Sequence, residues 1–532
     1  MDDNSLLEQV VIRLPHVIVV SVLSCAAFAQ EVDVLWSATY GGTHGDWLDD
    51  VKWCPDGGVI AVGRTLSNNG DVTGNHDPTE HHMDIWLVKL DSTGALEWQG
   101  CYGSPMVDYP RRVAVAADGG YFVVGTATVN GGDVSGCHGG KDGWIFKTDQ
   151  AGTLVWQNCI GGSADDEFWD VEALPDGGAL ILGYTYSNNG DVSGHTGTST
   201  DALLVRVDVH GTIIWQHCFG NDQEYGRTMT RTPDGHVTIL GERLGNAGCP
   251  WGGYELWAAS LNAAGVPVWT TCAGGSGHES ARGIARTADH GYVFVGASTS
   301  TDHHATGNHD PSGSTWDMFV VRTNSTGAIL WSKMLGGTGN DGAEDVAVLP
   351  DGTIRVVGWT NSNDHDVSGN HGSRDVWIVD LDDGGQMLWS QSFGGSLFDE
   401  GWAMDVSPTG ATVIGARSTS SDGDVPGTPM NWIDYWVFAI APKDFTTHGG
   451  QPLSAGPDIQ VAYDPTAGIR ITCATPLRGR VSILDATGRM IQETGMDGTD
   501  LHMPVPGVAP GLYYLSITHS VGRRVKKMML SP

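Results

Sequence analysis

The sequence predicts an all-β chain: a seven-bladed β-propeller of four-stranded antiparallel blades followed by a small C-terminal β-sandwich. Three observations predict it. Tryptophans recur at Trp36, Trp98, Trp156, Trp215, Trp269, Trp331 and Trp389, with spacings of 62, 58, 59, 54, 62 and 58 residues. Each interval holds short apolar runs separated by Gly-, Asp- and Asn-rich turns, the signature of a propeller blade. The last 80 residues break this period and carry a different charge balance.

The third unit shows the order of strands. Asp170–Leu174 runs into the tight turn Pro175-Asp176-Gly177-Gly178, and Ala179–Thr185 is an apolar second strand. A polar loop from Ser187 to Thr200 leads to a third strand, Ala202–Val207. Asp208-Val209-His210-Gly211 then turns into a fourth, Thr212–Gln216. Antiparallel connection places the tight turns on one face of the ring and the long loops, with the interblade loops, on the other. The seventh unit ends at Trp436–Ile440 without its fourth strand, and Val32–Trp36 supplies the missing piece. Closing the ring in this way removes an unpaired sheet edge.

Composition bounds function. Lys+Arg number 28 against Asp+Glu 62, a net charge of −34. From Gly450 onward there are eight basic and six acidic residues, leaving 20 and 56 in the body. Such a surface excludes nucleic acid as partner, because phosphates need a basic face. It suits solubility outside a cell and attraction of cations. Val17 to Phe28 is an apolar run too short for a bilayer span, and Ala27-Phe28-Ala29 precedes Gln30 as a small-x-small cleavage site. Residues 1–29 are thus expected to be a signal peptide, with Asp2, Asp3 and Glu8 unusual in its first part and a start near Val10 a better fit. Cys25 is a poor lipoprotein site, since Leu23 lies two residues before it. No other segment is apolar enough for a membrane helix. The expected organisation is signal peptide 1–29, propeller 30–446, linker 447–454 and C-terminal domain 455–532.

Cys101, Cys159, Cys218 and Cys272 each follow a repeat tryptophan by three residues. Equivalent points in neighbouring blades are about 10 Å apart, beyond the ~7 Å Cα limit of a disulfide. These four are therefore expected to be small buried residues rather than bridges. Cys54, Cys137, Cys249 and Cys473 show no evident partners.

Several recurring strings carry candidate chemistry. An acid opens every third strand (Asp84, Asp142, Asp201, Glu255, Asp317, Asp375, Asp434), with an aromatic or leucine two residues later in each. A sevenfold acid is a structural element, expected to accept backbone N–H groups of the neighbouring loop. The long loops read Ser67-Asn68-Asn69-Gly70-Asp71-Val72-Thr73-Gly74 and close variants, placing Asp71, Asp133, Asp191, Asp366 and Asp424 at matching positions. These five are candidate calcium ligands, because calcium takes ~6–8 oxygens; turn chemistry explains the same composition. Histidines cluster in those loops at His76, His81, His82, His138, His195, His303, His304, His309, His365 and His371, read as surface residues. Trp47, Tyr109, Trp169, Tyr225 and Trp402 are assigned to interblade loops, either to stack on sugars or to pack the loops down. No catalytic residue and no cofactor-binding residue is identified: Gly-x-Ser-x-Gly, a phosphate loop and His-Glu-x-x-His are all lacking.

Two resemblances follow from particular residues. The turn into the fourth strand reads [Asp/Asn]-x-x-Gly-x-x-x-Trp six times, as at Asp91, Gly94 and Trp98 or Asp149, Gly152 and Trp156. It resembles the tryptophan-docking motif of quinoprotein propellers, which implies tryptophans packed between blades; it brings no quinone with it, and no adjacent Cys-Cys pair is present. Tyr463-Asp464-Pro465, Val481–Arg489 and Pro510–Ile517 followed by Lys526-Lys527 resemble a type A C-terminal sorting domain of the type IX secretion system of Bacteroidota. Asp464 departs from the usual Asn-Pro step of that family. The resemblance implies export across the outer membrane by that machinery, with removal of the tail, and hence a secreted or surface-associated protein. The expected function is a binding or adhesion scaffold for a glycan or protein. The alternatives are a secreted propeller enzyme acting on polysaccharide and a structural surface-layer component.

Overall fold

A computed structural model describes residues 32–442 and 459–530, apart from 78, 197, 221–222, 246–248, 263–264, 428–431, 465–467, 486–489, 505–510 and 520–521. The expected signal peptide and the linker 447–454 lie outside the described residues, as do Pro465, Pro510 and Ala486–Arg489 of the tail.

Seven four-stranded antiparallel sheets follow one another along the chain. Blade one is Asp46–Trp53, Val59–Thr65, Asp84–Leu90 and Leu96–Tyr102. Blades two to six repeat it up to Met387–Phe393. In blade seven, Asp399–Val406, Thr412–Ser418 and Asp434–Ile440 are joined by Val34–Tyr40. The closing strand pairs Trp36 with Ala439 and Tyr40 with Tyr435. It runs four residues beyond the expected Val32–Trp36. Apolar second and third strands are almost wholly buried, because each is covered by the blades on both sides. Hydrophobic clusters accordingly span joints; one takes in Ile60, Leu87, Tyr121 and Phe146 of blades one and two.

The repeat tryptophans pack across the joints. Gly152 takes φ +82°, and a Cβ on it would lie 2.8 Å from the ring of Trp98 in the preceding blade. Only glycine fits both the backbone and the ring there. After the propeller, Ile459–Asp464, Gly468–Asp485, Met490–Met503, Gly511–His519 and Gly522–Leu530 form one five-stranded antiparallel sheet. The long strand Gly468–Asp485 pairs three others and shifts register between Thr472 and Leu477.

The cysteines correct the sequence reading. Cys137–Cys159 and Cys249–Cys272 are disulfides, with Cα atoms 5.0 and 5.7 Å apart. Both lie within one blade. The long loop folds back over its own fourth strand, a contact that the distance between blades does not bear on. Cys54, Cys101 and Cys218 are free.

Candidate functional site

Six of the seven third-strand acids do as expected. Asp84, Asp142, Asp317 and Asp375 accept the backbone N–H of His76, His138, His309 and His371, and Asp201 and Glu255 those of Thr196 and Trp251. A second acid ring, not singled out in the sequence, opens the first strands: Asp46, Asp108, Asp166, Glu224, Glu279, Asp341 and Asp399. Acids of the two rings meet across an interblade glycine. A Cβ on Gly161 would lie 2.5 Å from Asp142 Oδ1 and 2.7 Å from Asp166 Oδ2. Burial pushes Asp108 up to about 7, Glu255 to about 7 and Asp317 to about 6. The buried Oδ1 of Asp84, Asp142, Asp317, Asp375 and Asp434 accepts no hydrogen bond.

The loop aspartates clasp backbone. Asp71, Asp133, Asp366 and Asp424 each accept the N–H of an interblade glycine, at 3.1–3.3 Å, and return their own N–H to its carbonyl. Asp191 donates its N–H to Gly161 O at 2.9 Å. His76 lies 2.6 Å from Asp84 and 3.4 Å from Asp133 of the next blade, and His309 likewise bridges Asp317 and Asp366 at 2.8 and 3.7 Å. Each of these aspartates thus serves its own joint. Among the described residues, the groups of three potential metal ligands within 4.8 Å are Cys137–Asp142–Cys159 and Cys249–Glu255–Cys272, where both cysteine pairs are disulfides.

An asymmetric constellation lies on the axis. Every innermost strand carries a β-bulge at the same place, between Leu48 and Asp50, Pro110 and Arg112, Phe168 and Asp170, Gly226 and Thr228, Ala281 and Gly283, Ala343 and Asp345, and Gly401 and Ala403. A bulge re-aims the extra residue. The seven extra residues are Asp49, Arg111, Trp169, Arg227, Arg282, Glu344 and Trp402, and all seven line one axial cavity of about 40 Å³. That volume holds a water or two. Below it the channel is filled. Arg112 sits 3.1 Å from Asp50 and 3.9 Å from Asp345, while Asp170 and Asp405 accept the N–H of Met229 and Trp53 in adjoining blades.

Aromatic faces hold the arginines flat. The guanidinium carbons of Arg111 and Arg227 lie 3.8 and 3.9 Å from the ring of Trp169, and Arg417 lies 3.5 Å from Trp402. Arg64 sits between Trp47 and Tyr109, at 5.7 and 5.4 Å. Tyr225 packs edge-on against Tyr184 at 5.0 Å. Asp49 pairs with Arg417 at 2.8 Å and Glu344 with Arg282 at 3.2 Å. Arg111 is held less tightly, with Glu167 at 3.7 Å; burial draws its pKa down, with Arg64 and Arg227 adding their repulsion.

The five aromatics therefore lie on inner strands, not in interblade loops. Trp47, Tyr109 and Tyr225 stand one residue after the opening acid, Trp169 and Trp402 at bulges. The Trp169 ring carries an arginine on both sides, so it offers a sugar no open face. The charged bulge residues were missed by the sequence reading, yet a signal existed. Each stands three residues after the acid that opens its strand, a fixed place whose side chain changes from blade to blade.

No family model matches the chain. It is 27% identical over 172 residues to the regulatory protein FlaEY of Caulobacter vibrioides, a match taking in 30% of this chain and 17% of that protein. The chain thus spans about a sixth of that curated relative. Among solved structures it is similar to the Pan2 WD40 domain of Neurospora crassa (11% identity, TM-score 0.43, 78% of this chain and 97% of that one). It is also similar to Sqt1 from Chaetomium thermophilum (11%, 0.39, 74% and 87%) and to a puromycin hydrolase (15%, 0.40, 92% and 61%).

Proposed function

We propose that this chain is an extracellular binding scaffold whose axial cup takes an anionic ligand, the acidic end of a glycan. The observation that carries this reading is Trp169 between Arg111 and Arg227, with Arg282 on the next blade. Stacking spends the faces of Arg111 and Arg227 on Trp169; Arg227 also gives one N–H to Glu242, whereas Arg111, with Glu167 no nearer than 3.7 Å, has an N–H edge to offer a carboxylate or sulfate in a forked pair. The cup is positive only locally, on a body rich in acid, so it favours a single anionic group over a polyanion.

The experiment is a glycan array on the full chain, read against Arg111→Gln and Arg227→Gln. Uronate- or sulfate-ended glycans are expected to be retained and their neutral counterparts not. Each variant is expected to lose roughly tenfold or more, the worth of one charge-assisted hydrogen bond. Equal retention of neutral and acidic glycans, or variants that bind as well as the parent, would overturn the reading.

The enzyme alternative rests on Asp49 and Glu344, two carboxylates in the same ring, with Asp49 Oδ2 buried and accepting no hydrogen bond. A hydrolysis screen on the retained glycans, compared with Asp49→Asn, separates the two. Export by type IX secretion remains part of the proposal, supported by the tail motifs. Truncation at residue 455 is expected to leave a folded propeller that fails to reach the surface; normal delivery of the truncated chain would refute it.

A further inference from the structure

The joint between blades three and four departs from its counterparts on the tight-turn face, away from the axial cup. At Gly94, Gly152, Gly211, Gly327 and Gly385, the atoms nearest to where a Cβ would stand include the ring of the preceding blade's tryptophan, from Trp36 through Trp331. At Gly265 the nearest atoms all belong to His217, two residues beyond Trp215 on the same strand. The Trp215 ring lies against His217, centroids 5.1 Å apart. It lines a cavity of about 260 Å³ whose apolar walls include Leu180, Leu204, Val237 and Leu261.

Two other joints show a ring that can fill such a space. Tyr121, first residue of the second strand in blade two, puts its ring 5.9 Å from Trp98. Tyr292 does the same in blade five, 5.7 Å from Trp269. The matching residue of blade four is Val237. Val59, Ala179, Ile354 and Thr412 hold the same place in the remaining blades, so a tyrosine ring fills the space beside the tryptophan at two joints, and at this one the space is open. Two guanidiniums, Arg206 and Arg231, also line it. Arg206 pairs through Nη2 with Asp176, half-exposed and itself part of the lining, and Arg231 turns its Nε to Glu172 at 3.5 Å, while the Nε of Arg206 is buried and donates no hydrogen bond. An apolar slot with two guanidiniums in its wall, one of them holding an unused Nε–H, matches a flat ring that carries a negative charge.

We propose that this cavity is a binding site for a small aromatic carboxylate, its ring taking the place of the missing tyrosine and its acid meeting Arg206 and Arg231. The site is independent of the axial cup. A cavity of ~150 Å³ accepts benzene, so this volume admits a substituted ring and excludes an oligosaccharide. At five other joints the tryptophan ring lies against its glycine instead of leaving that place to a histidine. A single site per chain is therefore the expected stoichiometry.

The test is ligand-observed saturation-transfer NMR on the full chain with phenylacetate, and with phenylacetamide as the uncharged comparison. Saturable phenylacetate binding is expected, with phenylacetamide about tenfold weaker, as for loss of a charge-assisted hydrogen bond. Val237→Tyr supplies the ring from the chain itself and is expected to abolish binding of both probes. Should that variant fail to fold, the double variant Arg206→Gln/Arg231→Gln decides: it is expected to retain phenylacetamide and to lose the preference for the acid. Absence of saturable binding to the parent, unchanged binding by folded Val237→Tyr, or an intact preference in the double variant would each overturn the proposal.

Discussion

Two parts of each blade obey opposite rules. At the joints the same acids, glycines and loop aspartates return around the ring, so that Asp142 faces Asp166 as Asp375 faces Asp399. At the inner bulge the backbone repeats while the side chain does not: aspartate, arginine, tryptophan, arginine, arginine, glutamate, tryptophan. Burial explains the difference. A joint residue must satisfy two blades at once, and any replacement leaves an orphaned polar group or a cavity. A bulge residue points into the axial space, where its partners are other axial side chains, as Arg111 meets Trp169 and Asp49 meets Arg417, rather than the backbone of the next sheet. Sevenfold repetition marks scaffold here, and its failure at a fixed backbone position marks the candidate site.

The comparison can be broken most forcefully at the closing strand. Deleting residues 32–40 exposes the Asp434–Ile440 edge and removes Trp36 and Tyr40, whose hydroxyl donates to Gly94 O. Cooperative unfolding of the whole ring, rather than of one blade, is expected by calorimetry; a deletion that melts like the parent would show that closure is dispensable. A smaller break tests a joint that departs from the repeat. Arg355 and Asp380 are both fully buried and paired at 2.7 Å by two parallel bonds. Other blades carry an apolar residue or threonine where Arg355 stands. Asp380→Asn leaves that guanidinium uncompensated and is expected to cost about 3–5 kcal/mol in denaturant unfolding.

The acid pairs sharpen the comparison through pH. Burial raises Glu255, Asp108 and Asp317 in the folded chain, so the folded state binds protons more tightly than the unfolded one. Their stabilising contribution is complete below about pH 4, the range of an unfolded carboxyl, and is lost as pH rises through about 6 and 7. The melting temperature is therefore expected to fall between about pH 5 and 8. Glu255→Gln keeps an acceptor for the Trp251 N–H, places a donor at the unpartnered Oε2 position and should flatten part of that decline. An unchanged slope would mean that Glu255 does not titrate there. The smallest stability effect belongs to the bulge. Arg227→Gln is expected to shift melting little, since Arg227 spans no joint beyond Trp169 and Glu242; a large drop would make the bulge ring scaffold after all.

Much of this was legible in the sequence. Trp-to-Trp spacing, turn chemistry and the absent fourth strand of the last unit predict seven blades and their closure, because each of those features is local and repeated. The all-β character of the tail is legible too, from short apolar runs between Gly- and Pro-containing turns, whereas its pairing order, with Gly468–Asp485 joined to three strands, is not. The disulfides escaped because Cys137 and Cys249 sit in irregular loops whose return path no pattern encodes. The same separation, 22 and 23 residues to Cys159 and Cys272, was the available clue. The aromatics stand out but read as loop residues, since a strand interrupted by a bulge loses its period of two at the residue that matters. Arg111, Arg227 and Arg282 stayed hidden because attention to repetition passes over the one column that varies.

Pairing Val34–Tyr40 with Asp434–Ile440 ties the start of the ring to its end across some four hundred residues. Six blades can pair their strands as they are made, but this pairing waits until the last strand emerges. Until then the chain holds two open strands, one at each end, both able to join a neighbouring copy. Synthesis of this fold is thus a race between self-closure and cross-pairing, and any product stopped before Asp434 is condemned to the second course. The clasp makes a finished ring the condition of solubility: one strand records whether all seven blades were made.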